Sequence, residues 1–224
     1  MPVKVDNAID EAVGLAKGID NHPDVISARS DGKQKMDKLH ADTADLVNKN
    51  SAQKAAQMTA EQKTKEQDDL MKDAERAVTQ IQNAAKSAFP GKEVTLKEFK
   101  VGMNKPNSVK AMIALLAYLA GGVQKYSEDL LANGLTQDDI TNLSNLYAIL
   151  VGAEAAQENA KKLRNAATAI RDAAAAKLRE TVSATRSYLK AVFKDDPAAL
   201  EEFKSIVKAR GKATPKPPAP APQA

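Results

Sequence analysis

His22 and His40 are the only imidazoles in 224 residues, and no cysteine accompanies them. That inventory bounds the chemistry. A di-iron bundle needs Glu-x-x-His on each of two helices and two further glutamates. Asp37-x-x-His40 is the nearest approach, and no second motif of its kind exists. His22, immediately before Pro23, reads as a turn residue. Without cysteine there is no disulfide, thiolate nucleophile or Cys-based zinc site. No glycine-rich phosphate loop is present, and no Ser/His/Asp set stands out by spacing. The acid pairs Asp68-Asp69, Asp138-Asp139 and Glu201-Glu202 are adjacent in sequence. Neighbours on a helix point to different faces and cannot converge on one atom, so these read as surface and cap residues. The sequence predicts no enzyme, no catalytic, cofactor-binding or metal-binding residue, and no cofactor.

What stands out is apolar rather than reactive. Met112 to Val123 carries no charge. A helix hydrophobic on every side must be buried, which sets this one in the centre of a bundle. Where a partner supplies the burial instead, it becomes a self-association surface or a segment released towards a membrane, as in helical pore-forming toxins. The uncharged run Ala111–Val123 spans about 20 Å as a helix, too short to cross a bilayer. Phe99, Phe203, Met112, Leu115, Leu116 and Leu119 make up the candidate interaction surface.

Charge adds little. The formal +4 includes five basic residues from Lys204 onwards (Lys204, Lys208, Arg210, Lys212, Lys216) with no acids, so the rest of the chain sums to −1. Phosphate binding needs clustered charge on a folded face, so nucleic acid is not expected. A protein partner or a second copy is. Met1-Pro2-Val3-Lys4-Val5-Asp6 leads into an acidic amphipathic stretch rather than a signal peptide. The default expectation is therefore cytoplasmic, with leaderless export left open.

The elements that carry these residues follow from composition and period. Alanine and straight-chain residues dominate, aromatics are 4% and tryptophan is absent, a mixture that favours helix and a thin core. Sliding the sequence by 104 residues aligns 5–100 with 109–204 without a gap, giving 22 identities in 96 positions. Phe89, Leu96, Glu98, Phe99 and Lys100 recur as Phe193, Leu200, Glu202, Phe203 and Lys204, and all four phenylalanines of the chain fall in this signature. The counterparts of Asp37 and His40 are Thr141 and Ser144, so the lone metal-like spacing is not repeated.

Each unit reads as a shorter helix (about 5–20 and 108–132), a very long one (about 33–89 and 136–193) and a short closing helix. Ser108 or Asn107 caps the second short helix, Asn133-Gly134 ends it, and Thr136 with Asp139 makes a capping box for the long helix. Pro90-Gly91 and Asp195-Asp196-Pro197 stop the long helices. Thr95-x-x-Glu98 is expected to cap the first closing helix and Pro197 to begin the second. In the first long helix an a/d series from Met36 to Ala88 has no charged member. Its middle, Asn50 to Gln67, is polar, which predicts a weaker waist and leaves room for a break near Asn48–Ser51.

The expected fold is all-α: an elongated helical bundle from two tandem ~100-residue helical-hairpin repeats. Residues 1–104 form one repeat, 105–210 the other, and 211–224 a Pro/Ala-rich flexible tail. The long helices are expected to run antiparallel, with the phenylalanine pairs clamping the closing helices. The expected role is a non-enzymatic structural or protein-interaction bundle (scaffold, spacer or assembly subunit); the alternatives are a membrane-active helical protein using 111–123, and a helical-bundle enzyme or carrier whose site no motif reveals.

Overall fold

A computed structural model describes residues 2–27, 29 and 31–208. The Pro/Ala tail and Arg210, Lys212 and Lys216 lie outside the described residues. The protein is 86% helical, with no strand among the described residues. Among the described residues eight helices follow one another: α1 (Pro2–Asp20), α2 (Pro23–Ser27), α3 (Gly32–Ala88), α4 (Glu93–Glu98), α5 (Val109–Lys125), α6 (Ser127–Ala132), α7 (Gln137–Val192) and α8 (Pro197–Lys208).

Most boundaries have an evident local cause. Ser108 caps α5, its hydroxyl accepting from Ala111 N–H at 3.4 Å. Gly91 and Gly134 adopt φ of 75° and 98°, left-handed turns that glycine makes without steric cost. The Asp196 carboxylate accepts from the amides of Ala198 and Ala199, both at 3.1 Å, to start α8 at Pro197. At α7 the capping box is reciprocal: Asp139 N–H donates to Thr136 Oγ1 at 3.1 Å, and Thr136 N–H donates to Asp139 Oδ2 at 2.9 Å. Thr136→Ala removes the acceptor for the Asp139 amide and should cost about 1 kcal/mol. A urea titration reads that change.

Three expectations are corrected. The closing helix α4 starts at Glu93 and has no side-chain cap, so Thr95 lies inside it. The chain turns back directly after Gly91, and Leu96 N–H already reaches Lys92 O at 3.0 Å. The segment 108–132 is two helices, broken at Tyr126 (φ −119°, ψ 26°), whose ring turns in beside Phe89 and Phe99. A short α2 also forms where no helix was expected. By contrast α3 passes through Asn48–Ser51 without interruption.

The chain makes two compact units whose limits, after Lys54 and after Asn165, do not coincide with the repeat boundary expected between residues 104 and 105. Unit 1 takes the chain up to Lys54 and again from Ala166, and unit 2 is Ala55–Asn165. The core of unit 1 gathers Leu15 and Ile19 of α1, Leu39 and Leu46 of α3, Leu178 and Leu189 of α7, and Phe203 of α8. That of unit 2 gathers Val78, Ile81 and Ala85 of α3, Phe99 beyond α4, Met112, Leu116 and Leu119 of α5, and Leu143 and Leu150 of α7. Burial falls at positions 104 apart: Leu15 and Leu119, Leu39 and Leu143, Val78 and Val182, Phe89 and Phe193.

Within each unit α3 and α7 run antiparallel, as their cross-links show. In unit 2, Gln67 bonds to Glu154 (2.6 Å) and Gln157 to Thr64 (3.2 Å). In unit 1, Arg171 bonds to Gln53 (3.1 Å) and Thr181 to Asp42 (2.7 Å). The partner number on α7 rises as that on α3 falls. Of the expected a/d series, Gln57 alone is exposed; the others are wholly or partly buried.

Candidate interaction surface

The residues expected to form a surface are inside. Phe99, Met112, Leu116 and Leu119 are wholly buried, Phe203 is buried, and Leu115 is partly so. Phe203 belongs to the core of unit 1 and the others to that of unit 2, with Leu115 at its edge. The phenylalanines meet as the fold-back requires. Phe89 and Phe99 stack 6.1 Å apart with Tyr126 at 5.2 and 5.8 Å, and Phe193 lies 5.4 Å from Phe203. Gly122 makes room for this: a methyl group there would sit 3.2 Å from the Phe99 ring.

Nor is α5 covered on every side. Met112, Leu116, Leu119 and Val123 face the core, while Ala111, Ala114, Ala117, Tyr118 and Gly121 are exposed. Alanine and glycine offer water little apolar area, so the outer side of the uncharged segment Met112–Val123 can stay wet at small cost. Lys100 lies over the Tyr118 ring at 4.8 Å.

The histidines part company. His40 and Asp37 are exposed on α3. Among the described residues no three of His, Cys, Asp and Glu gather as a metal site would need. His22 packs edge-on to Phe193 at 5.2 Å and lies 6.0 Å from Phe203. It occupies in unit 1 the place that Tyr126, 104 residues later, occupies in unit 2. The offset between the two halves carried that signal; the spacing around Pro23 did not. Asp68, Asp69 and Asp138 are exposed, Asp139 serves the α7 cap, and Glu201 is exposed.

The buried polar groups are structural. Asp42, 4% exposed, accepts from Thr181 Oγ1 at 2.7 Å and pairs with Lys177 Nζ at 2.7 Å. Burial pushes its carboxyl pKa up, but the hydrogen bonds and charge of Lys177, with the Thr181 hydroxyl, outweigh that and hold it below the usual value. Arg171 is also buried, its guanidinium shared between Gln53 and Asp172. A shallow groove of about 210 Å³ runs between α1 and α7 in unit 1, where the Glu11–Arg186 ion pair (2.7 Å) lies beside Arg179 and Ser183. An acid already neutralised by an arginine is poorly placed as a general base.

The apolar surface lies on α7 instead. Tyr147, Ile149, Val151 and Leu163 are 40%, 53%, 41% and 58% exposed, against two large apolar residues, Val47 and Met58, exposed on the whole of α3. Gly152 sits among them in mid-helix, with nothing within 4 Å of where a Cβ would stand. A glycine there costs about 0.5–1 kcal/mol relative to alanine, and no neighbour in the chain requires it. Among the described residues no helix is long and apolar enough to cross a membrane. No protein-family model matches this chain, and neither does any curated protein or solved structure.

Proposed function

We propose that this chain is a non-enzymatic helical bundle that acts as an assembly subunit or scaffold by presenting α7 to a protein partner. The observation that carries the reading is the set of exposed apolar side chains on α7, Tyr147 and Val151 on one side of its outer face and Ile149 and Leu163 on the other, beside the unexplained Gly152. Large apolar side chains grouped on one helix and rimmed by polar residues mark contact surfaces. We also infer that the chain arose by tandem duplication. The burial of residues 104 apart and the equivalence of His22 with Tyr126 support that reading.

A photo-crosslinking residue at Leu163, in the full chain expressed in its own cells, tests the proposal. A discrete protein adduct should form there, and none at Gln62, an exposed polar position on α3. No adduct at Leu163, or equal adducts at both, would remove the reading.

A further inference from the structure

Unit 1 joins the opening stretch of the N-half (residues 1–104) to the closing stretch of the C-half (residue 105 onwards), and unit 2 joins the other two stretches. Neither half closes a core alone. Leu39 and Leu46 of the N-half share theirs with Leu178 and Leu189 of the C-half, as Val78 and Ile81 do with Leu143 and Leu150. The polar bonds between α3 and α7 also run from one half to the other. Asp42 meets Thr181 and Lys177, Gln53 meets Arg171, Thr64 meets Gln157 and Gln67 meets Glu154. The two ends of such a bond differ in kind, so replacing one half by a copy of the other does not preserve it.

Resting on the reading of the chain as a tandem duplication, we infer that the N-half is a recognition module for the C-half and is barred from pairing with itself. Asp42 is the bar. In a bundle of two N-halves, each position of the C-half would be taken by the residue 104 places earlier. Asp42 would then face Ala77 in place of Thr181, and Asp73 in place of Lys177. Asp73 is itself an acid, held by Arg76 on its own helix at 2.9 Å. Asp42, only 4% exposed, would lose both donors and meet a second carboxylate. Two-fold symmetry would repeat the fault in both units. The Glu11–Arg186 ion pair would go as well, since Gln82 stands 104 places before the arginine. The C-half carries no such bar. Paired with itself, it would set Leu146 across from the largely exposed Lys177, and Glu154 across from Arg171 in place of Gln67. Of the groups named, only the Thr181 hydroxyl is both buried and left without its acceptor. An unsatisfied buried group set against the wrong partner is a source of specificity.

A nicked full chain tests this. A protease site is inserted after Gly102, in the exposed stretch 102–104, and cut once the chain has folded. The nicked protein is unfolded in urea and refolded by dilution, and native mass spectrometry weighs the pairs that form. The expected product is the mixed pair, with N-half self-pairs about tenfold or more below their random share. In an Asp42→Leu/Thr181→Ala chain nicked in the same way, those self-pairs should rise by about tenfold or more. Random shares in the parent would overturn the inference while still supporting the duplication reading, because they require interchangeable halves. Halves that stay single while the uncut chain refolds would overturn it too. No rise in the double variant would remove Asp42 as the bar, and with it the equivalence of positions 104 apart.

Discussion

Phe99→Ala should destabilise the protein by about 3–5 kcal/mol, the range for truncating a fully buried phenylalanine. The ring has no exposure, stacks on Phe89, touches Tyr126 and rests against the glycine face of α5 at Gly122. It is also the chief anchor of a six-residue helix, because α4 itself contains no buried residue. A helix that short has too few hydrogen bonds to repay its own nucleation. Losing the ring therefore leaves a cavity and frees the segment beyond Gly91. Gln82, whose side-chain amide donates to Lys100 O at 2.9 Å, would lose its acceptor with it. Urea unfolding measures the loss, and hydrogen exchange should place it in unit 2, with the amides around Leu15 and Leu189 still protected. A melt indistinguishable from the parent would mean that the ring is not packed as described.

The second large effect is a non-additive one, at Asp42 and Thr181. Removing the carboxylate alone (Asp42→Ala) leaves the buried Thr181 hydroxyl without its acceptor and should cost about 1–3 kcal/mol. Unit 2 holds the apolar alternative: the positions 104 residues away are Leu146 and Ala77, both buried. The double variant Asp42→Leu/Thr181→Ala copies that solution and should recover most of the loss, since replacing both partners with apolar groups is close to neutral. The expected coupling is about 0.5–3 kcal/mol, read by a double-mutant cycle in urea. The pH dependence should change with it. The folded carboxyl is held below its ordinary value, so its stabilisation is complete above the unfolded pKa of about 3.9. It is lost as pH falls through the lower, folded value. The double variant should lack that acid-side loss. Additive single and double effects would show that the pair acts independently.

The helices and their ends were legible because several weak signals coincided. Leu39, Leu46, Ala74, Val78 and Ile81 share one face of α3, and caps such as Thr136–Asp139 name their own hydrogen bonds. Where a single signal stood alone it failed: Thr95-x-x-Glu98 had the spacing of a cap but lay two residues inside the helix. The candidate surface was misread for a different reason. Periodicity says which residues share a face and not which face another element covers. Met112 and Leu116 on α5 are chemically equivalent to Ile149 and Leu163 on α7, yet the first pair is buried and the second exposed. The buried Asp42 had no local signal at all, standing between seam positions in a charged stretch; only its alignment with Leu146 hinted at an inward-facing site.

The division of the chain between the units has a consequence for synthesis. Unit 2 is one continuous stretch and can close once residue 165 has left the ribosome, whereas unit 1 needs both its early and its late segments. At about 5–20 residues per second, translating the intervening stretch takes roughly 5–20 s. Throughout that interval Val5, Leu15, Ile19, Leu39 and Leu46 have none of their α7 partners. The half made first is thus finished last, and its apolar face is the part of the nascent protein with most need of a chaperone. A nonsense or frameshift product ending within α7 after Asn165 would keep a complete unit 2 while leaving that face uncovered.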